Sequence, residues 1–436
     1  MSLRTPKGTV DFSGKDAKLI EKVINNSIEV FKLYDAEPLD TPTFELRDIL
    51  VKKYGDDEKL IFDLEDQGGD ICSLRYDLTV PFSRYLAQNN VSKIKRYQVG
   101  KVFRRDQPYL SKGRYREFIQ CDYDIVGQYL PMTSEAEILK IMSEILDSFE
   151  IGDFVIKVNS RIILEGILTF SNVEKELHKS ILSSIDKMDD KSMEDLKKEM
   201  ISKGINEDQF EKIIDIISIK GGEEILEKIK SHEIFEIESI KKEIENFELL
   251  FKYLKAYNCE KNILIDLSLA RGADYYTGLI FEAIYKKSKS HGSVMGGGRY
   301  DNLVDVLKEG RSVPCIGFSV GVYRIFSILS KKKSQEKNKA VLFATIKEHF
   351  VEKRIELMEL LRKNKIIATT NFIKRVNLGE QIKYAKKNNI DVILVFGENE
   401  IEKNQVDVIF KEERTSVEIS KLVEYLNRLF LIQQKN

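Results

Sequence analysis

Two runs of alternating apolar and polar residues, joined by a basic loop, constrain the fold of this chain most. The first run is KRYQVGKVFRR at 95–105, the loop is QPYLSKGRYR at 107–116, and the second run is EFIQCDYDIVG at 117–127. A period of two residues is typical of β-strands, whose side chains alternate between the two faces of a sheet. The stretch therefore predicts an antiparallel hairpin over 95–126 with a long, basic tip.

The hairpin is also rich in cations. Nine lysines and arginines lie between Lys93 and Arg116, Asp106 is the only acid among them, and three tyrosines are interleaved. Arginine makes bidentate contacts with phosphate and aromatic rings stack on bases, so the hairpin suits polyphosphate or nucleic acid. A solvated basic face is the alternative interpretation. Because the formal net charge is only −1, nucleic-acid binding would depend on such local patches.

The second strand of the hairpin carries a row of polar side chains. Gln120, Asp122 and Asp124 are spaced by two residues and share one face of the strand. Carboxylates on a buried sheet face are costly unless they meet a cation. Their partner is either a neighbouring arginine or a cationic ligand, such as an amino group or an imidazolium ion.

Three glycine-bounded segments carry further arginines and tyrosines: RGADYYTG at 271–278, GGGRYD at 296–301 and GFSVGVYR at 317–324. Glycine permits close approach of the backbone, which suits an anion site. An internal Arg–Asp pair is the alternative for the first segment. No GxxxxGK[ST] phosphate loop occurs, so a bound nucleotide would lie on an antiparallel sheet and be held by arginines. We predict that four arginines converge there: Arg104, Arg271, Arg299 and Arg324.

The character of the sequence changes along the chain, which has 436 residues and is too long for one ordinary core. Strand patterns, glycine-rich turns and amphipathic helices are interrupted by a Lys- and Glu-rich stretch with helically spaced Ile and Leu, which predicts a helical insertion. Near the end, alternating strands and helices predict a small α/β domain with a mostly parallel sheet. The predicted segments are 1–169 and 256–330 for the main α+β domain, 170–255 for the insertion, 331–339 for a linker and 340–436 for the α/β domain.

Composition excludes several classes of protein. The four cysteines are scattered without a CxxC motif, which argues against a disulfide framework and favours a reducing, cytoplasmic compartment. The four histidines lie far apart, so we expect no protein-bound structural metal. No apolar run approaches the ~18 residues of a membrane span, and the N-terminus lacks a secretory signal, so no membrane association is expected.

Together these segments resemble the class II aminoacyl-tRNA synthetases. Their motif 1 resembles the helix 15–34 with the strand around Pro42, motif 2 resembles KVFRRDQPYLSKGRYREFIQ, and motif 3 resembles GFSVGVYRIF. More specific strings resemble the histidyl-tRNA synthetase family, in its eukaryotic-like branch. These strings are RTPKGTVDF at 4–12, LRYDLTVPFSRYLA at 74–87, QCDYDIVG at 120–127, LSLARGADYYTG at 267–278 and MGGGRYDNLV at 295–304.

The resemblance implies a fold and a reaction. The main domain would be an α+β catalytic domain with an antiparallel sheet flanked by helices, and the C-terminal α/β domain would bind the anticodon. The chain would activate L-histidine with ATP and Mg²⁺, form histidyl-adenylate and pyrophosphate, and transfer histidine to tRNA(His). The family's motif 1 interface implies a homodimer. Lys374 and Arg375 are possible anticodon contacts.

The resemblance also implies roles for individual residues. The residues expected to contact histidine are Asp77, Leu78, Thr79, Arg104, Gln120, Asp124, Arg271, Tyr275, Tyr276 and Tyr300. Those expected to contact ATP are Arg104, Asp106, Arg114, Arg116, Phe118 and Arg324. Arg104, Arg271 and Arg324 would be catalytic, since alignment and charge neutralisation dominate such chemistry.

Three positions depart from the family pattern: Ala273, where the family usually has Leu; Tyr323, where it has Glu; and Asp106, where many class II members have Glu. Two alternative functions remain. One is a regulatory paralogue that makes no adenylate, which would typically have lost the catalytic arginines. The other is a class II synthetase for threonine, proline or glycine, which would lack the QCDYD and RG-DYYTG strings.

Overall fold

The structure is a computed structural model that describes residues 3–54, 59–66, 68–188, 191–270, 275–331, 338–347, 349–371, 376–411 and 413–435. The chain divides into two compact units, Met1–Lys332 and Lys333–Asn436. Among the described residues, no helix is both long and apolar enough to cross a bilayer.

The first unit is built on one large sheet. Its strands are β1 (Glu37–Pro38), β2 (Phe44–Leu46), β3 (Cys72–Leu74), β4 (Ile94–Phe103), β5 (Glu117–Val126), β6 (Phe154–Ser160), β7 (Lys220–Gly221), β8 (Ile263–Asp266), β9 (Leu279–Tyr285), β10 (Met295–Arg299) and β11 (Cys315–Gly321). The sheet has the order β1-β4-β5-β11-β10-β9-β6-β8-β7, while β2 and β3 pair separately. Its pairings are antiparallel except those of β1 with β4 and β6 with β8.

The predicted basic hairpin is confirmed. β4 and β5 pair antiparallel, from Ile94 opposite Val126 to Phe103 opposite Glu117. The two faces of β5 differ as the alternating pattern predicts. Cys121, Tyr123 and Ile125 are buried in the main hydrophobic core, so the polar side chains at 120, 122 and 124 face the opposite side of the sheet.

Helices cover the sheet. In the first unit they are α1 (Gly14–Leu33), α2 (Arg47–Tyr54), α3 (Thr79–Asn89), α4 (Thr133–Ser148), α5 (Arg161–Phe170), α6 (His178–Ile185), α7 (Met193–Ser202), α8 (Glu207–Ile217), α9 (Ile225–Lys230), α10 (Glu238–Ala256), α11 (Leu303–Leu307) and α12 (Val322–Leu329). The helix expected at 15–34 corresponds to α1, and α4 follows the hairpin in the chain. Both contribute buried residues to the core beneath β5, as does α12.

The segment predicted as a helical insertion contains α6 to α10. It also contains the short strand β7, which pairs with β8 at the edge of the large sheet. Buried side chains of this segment, such as Ile213 and Phe247, belong to the same hydrophobic cluster as the sheet. The boundaries 170 and 255 stay a prediction.

The second unit has its own sheet and cores. Its elements are β12 (Asn338–Thr345), α13 (Val351–Lys363), β13 (Ile367–Thr370), α14 (Leu378–Lys387), β14 (Ile390–Phe396), α15 (Glu398–Glu402), β15 (Gln405–Phe410), β16 (Glu413–Glu418) and α16 (Leu422–Lys435). The strand order is β13-β12-β14-β15-β16.

The prediction of a mostly parallel sheet in this unit was wrong. β12 pairs in parallel with β13 and β14, whereas β14–β15 and β15–β16 are antiparallel. β16 was missed because its residues are nearly all polar and exposed, which leaves no apolar alternation to read.

Candidate active site

A cavity of about 470 Å³ opens on the sheet face that carries the polar row of β5. Most of the predicted site residues meet there, although they come from distant parts of the sequence. The predicted residues that line the cavity are Asp77, Thr79, Arg104, Asp106, Arg114, Phe118, Gln120, Asp124, Tyr275, Tyr276, Tyr300 and Arg324.

The structure does not bring every predicted residue to the cavity. The side chain of Leu78 is fully buried and lies against Gly100, where an added Cβ would come within 3.1 Å of it. Arg116 packs over Gly8 and its Nε donates to the backbone oxygen of Asp106 at 3.0 Å. Arg271 lies outside the described residues, as do Lys374 and Arg375.

The predicted convergence of four arginines requires a correction at Arg299. Its guanidinium pairs with the carboxylates of Glu135 and Asp301 and donates to the Ser134 hydroxyl at 3.1 Å. Glu135 is only 3% exposed at the start of α4, and a carboxylate so buried needs a cation. Arg299 therefore has a structural role, as the cation that pairs with Glu135 and Asp301.

Small residues keep the floor of the cavity open. On β11, residues 317, 319 and 321 lie directly opposite Asp124, Asp122 and Gln120, and they are Gly, Ser and Gly. A Cβ on Gly317 would lie 1.9 Å from Oδ1 of Asp124, and one on Gly297 would lie 2.0 Å from the backbone oxygen of Gly317. The glycine-rich strands thus make room for the polar row of β5.

Two of the described residues, Arg96 and Tyr300, pair with Asp124. One oxygen lies 2.7 Å from Nη2 of Arg96, and the other accepts a hydrogen bond from the Tyr300 hydroxyl at 2.5 Å. Burial raises the pKa of Asp124, and Arg96 opposes that rise. Sequence reasoning gave no role to Arg96, although the hairpin register sets it directly opposite Asp124 on β4.

Asp122 is the buried acid of the polar row to which the family resemblance assigns no role. Burial and the negative charge of Asp124 raise its pKa to about 7, while Arg96 and a hydrogen bond from Ser319 oppose the rise. Among the described residues, none hydrogen-bonds to its buried Oδ1. The floor therefore retains unused capacity to accept a hydrogen bond.

The side wall is formed by the start of α3 and by two tyrosines. Oδ1 of Asp77 accepts from the backbone N–H groups of Thr79 and Val80, both at 3.0 Å, and so caps α3. Its other oxygen lies 3.5 Å from the hydroxyl of Tyr275, whose ring contacts that of Tyr276 at 5.0 Å between centroids. Burial and Asp77 raise the pKa of Tyr275 well above its usual value, so the phenol stays a neutral donor.

Arginines mark another part of the same cavity. The guanidinium of Arg104 lies 4.2 Å from the ring centroid of Tyr76 and 5.3 Å from that of Phe118, and its Nε donates to the Tyr76 carbonyl at 3.1 Å. Nη1 of Arg324 donates to the backbone oxygen of Ser293. These contacts orient both cations, and Arg114 and Asp106 complete the lining.

Tyr323, a departure from the family pattern, fits its surroundings. Its buried ring packs against Phe12 and Tyr115, with centroids 5.0 and 4.9 Å away. Its backbone oxygen would lie 2.7 Å from a Cβ on Gly113, whose φ of +73° favours glycine. The basic loop can therefore approach α12 closely beside Arg324.

Other lining residues were missed by sequence reasoning, among them Tyr76, Ser319 and Asp186. Ser319 could have been found from strand register, because it shares a face with the two motif 3 glycines. No sequence pattern distinguishes Asp186, since it is one acid among many in the Lys- and Glu-rich segment.

One cavity thus combines a carboxylate floor, which suits a cation, with arginines, which suit anions. A largely antiparallel sheet with this site, together with a separate C-terminal α/β domain, is the architecture of a class II aminoacyl-tRNA synthetase.

Comparison with known proteins narrows this class. A family model described as histidyl-tRNA synthetase matches residues 8–325, and one described as an anticodon binding domain matches 338–429. A relative named probable histidine–tRNA ligase, cytoplasmic, from Encephalitozoon cuniculi is 44% identical over 98% of both chains. A mitochondrial histidine–tRNA ligase from Bos taurus is 40% identical over 96% of this chain and 88% of its own. The solved histidyl-tRNA synthetase from Nostoc sp. PCC 7120 has a TM-score of 0.86 and 29% identity, covering 98% of this chain and 99% of that one. The chain belongs to the histidyl-tRNA synthetase family.

Proposed function

We propose that this protein is a histidine–tRNA ligase, which activates L-histidine with ATP and transfers it to the 3′-terminal adenosine of tRNA(His). The observation that carries the proposal is a cavity in which buried carboxylates and oriented arginines lie together. Histidine brings an ammonium group and an imidazole, and ATP brings phosphates, so each half of the cavity has a complementary substrate.

The carboxylate side would select the amino acid. Asp77, Thr79 and Gln120 would hold the ammonium group, while Asp124, Tyr275, Tyr276 and Tyr300 would surround the imidazole. Another side chain would leave these buried polar groups unpaired, a penalty that supports discrimination of roughly 10⁴-fold without editing. Because Asp124 already pairs with Arg96 and Tyr300, its carboxylate is fixed before the substrate enters.

The arginine side would hold the nucleotide and align the reaction. The histidine carboxylate attacks the α-phosphorus of ATP, an O–P bond forms, and pyrophosphate leaves. Arg104 and Arg271 would neutralise charge at the attacking carboxylate and the α-phosphate, and Arg324 would hold the γ-phosphate. The ring of Phe118 would stack on adenine, and Asp106 would lie near the adenine amino group. Mg²⁺ binds mainly through substrate phosphates in such sites, so we expect it to arrive with ATP and shield the pyrophosphate.

The remaining parts of the proposal concern partners and compartment. Residues 340–436 would contact the anticodon, and the helical segment would contact the acceptor arm of the tRNA. We propose a homodimer. We propose the cytoplasm as the compartment because the relative from Encephalitozoon cuniculi is named cytoplasmic, although the relative from Bos taurus is named mitochondrial.

Amino-acid-dependent ATP–pyrophosphate exchange tests the proposal. Each of the twenty amino acids is tried without tRNA, and charging of tRNA(His) is measured next. Exchange with histidine alone is the expected result. Exchange with another amino acid would indicate a different class II synthetase, and no exchange from folded protein would favour the regulatory paralogue.

A further inference from the structure

Among the residues that the structure describes, none pairs with the amide oxygen of Gln120. Its Nε2 donates to the Ser319 hydroxyl at 2.5 Å, and among the described residues none hydrogen-bonds to its buried Oε1. Only 8% of Gln120 is exposed, and it lines the cavity. An amide held in this orientation offers its oxygen, which is an acceptor, to whatever fills the cavity.

The orientation of that amide depends on Asp122. Ser319 lies directly opposite Asp122 on β11, so its hydroxyl can reach the carboxylate, and its hydrogen bonding opposes the rise in the pKa of Asp122. An ionised carboxylate can only accept hydrogen bonds, so the Ser319 hydroxyl must be the donor to it. The serine oxygen must then accept from Gln120, and only the NH₂ end of the amide can donate.

We propose that Asp122 and Ser319 are positioning residues that turn the carbonyl oxygen of Gln120 towards the substrate ammonium group. This inference rests on the proposed function, since it takes histidine as the occupant of the cavity. The hydrogen-bond chain runs from the Gln120 amide through the Ser319 hydroxyl to the Asp122 carboxylate. It supplies an acceptor at the point where the amino acid brings three N–H donors.

This hydrogen-bond chain predicts a different defect in each of two variants. In Ser319→Ala the amide loses its fixed partner and samples both orientations. In Asp122→Asn the new amide can donate to Ser319, whose hydroxyl then donates to Gln120 and turns the NH₂ end towards the ammonium group. Asp122→Asn should therefore be the more damaging change, although it is nearly isosteric.

Steady-state ATP–pyrophosphate exchange at pH 8 tests the inference with wild type, both variants and Ser143→Ala. Ser143 is a matched control, because it is 3% exposed and donates only within α4, to the Leu139 carbonyl at 3.0 Å. The KM for histidine should rise about 5- to 20-fold in Ser319→Ala and more in Asp122→Asn, as expected for loss of a hydrogen bond to a charged group. The KM for ATP should change less than about twofold.

A substrate analogue separates positioning from general distortion. The desamino compound 3-(imidazol-4-yl)propionate lacks the ammonium group, so its inhibition constant against histidine should be the same in all four proteins. A parallel rise in this constant or in the KM for ATP would overturn the inference, as would an unchanged KM for histidine in Ser319→Ala. If wild type shows no histidine-dependent exchange, the proposed function itself fails and the inference falls with it.

Discussion

At the scale of single residues, Gly317 tests how tightly the floor is packed. A Cβ at this position would lie 1.9 Å from Oδ1 of Asp124 and 2.8 Å from the backbone oxygen of Tyr123. Since the backbone cannot move freely in mid-sheet, Gly317→Ala must displace Asp124 and break its pairing with Arg96 or Tyr300. We expect the free energy of unfolding to fall by about 2–4 kcal/mol and histidine-dependent exchange to fall at least ~100-fold.

Urea unfolding and pyrophosphate exchange measure these two effects. Gly379→Ala is the matched control, because its nearest contact would be a flexible side-chain atom of Asn377 at 3.3 Å in the other unit. Normal exchange in Gly317→Ala would mean that Asp124 does not need its present position.

The raised pKa of Asp122 predicts that stability depends on pH. Its pKa is raised from the ordinary 3.8 to about 7 by burial, so the folded state keeps a proton that the unfolded state loses. This contribution to stability is complete below pH ~4 and is lost as the pH rises to about 7. Asparagine does not ionise, so Asp122→Asn does not lose this stability as the pH rises. The ligand-free variant should therefore be more stable than wild type by about 2–4 kcal/mol at pH 8.

Scanning calorimetry of the ligand-free proteins between pH 5 and pH 8 measures the difference. The melting temperature of Asp122→Asn should exceed that of wild type most at pH 8, and the gap should shrink by more than half at pH 5. Asp153→Asn, an exposed substitution, should show no such trend. A gap independent of pH would contradict the assigned titration.

Prediction of single residues from the sequence succeeded where the two-residue period of a strand sets the direction of the side chains. Spacing by two was enough to assign Gln120, Asp122 and Asp124 to one face, and β5 has that geometry. Partners across strands were harder, since they depend on register. Arg96 was therefore overlooked, and Arg299 was grouped with the site although a buried glutamate from α4 binds it.

At the scale of elements, the same distinction holds. The β4–β5 hairpin was predictable because both strands alternate, whereas β16 was not, because its polar side chains are exposed on nearly every position. Its pairing with β15 depends on backbone hydrogen bonds and a short connection, and neither leaves an apolar pattern in the sequence. The parallel part of that sheet, in contrast, follows from the alternation of buried strands with helices.

The small two-stranded sheet of β2 and β3 supports a prediction about assembly. Phe44 and Leu46 share one face of β2 and are 54% and 43% exposed, and the neighbouring Ile71 is 60% exposed, while Glu45 on the other face is buried. An exposed apolar face next to the motif 1 segment suits the proposed homodimer. We expect Leu46→Glu to weaken dimerisation at least ~10-fold through burial of an unpaired charge.

Sedimentation velocity over a range of concentrations measures this change. Ile201→Glu is the control, since Ile201 is 37% exposed in the helical segment and its charge should leave association unchanged. A Leu46→Glu protein that dimerises like wild type would exclude this face from the interface.

At the scale of the whole molecule, the two units have separate hydrophobic cores, and every described residue that lines the cavity belongs to the first unit. Adenylate formation should therefore need only that unit, whereas charging of tRNA should need both. A chain truncated after Lys331 should keep histidine-dependent pyrophosphate exchange within about threefold of wild type. Its kcat/KM for tRNA(His) should fall about 100-fold or more, because one of two linked binding modules is lost.

Histidine-dependent exchange by the truncated chain is also the control for folding, because only a folded first unit can form the adenylate. Equal charging by both chains would mean that residues 340–436 do not contribute to tRNA binding, whereas loss of exchange would mean that the first unit depends on the second.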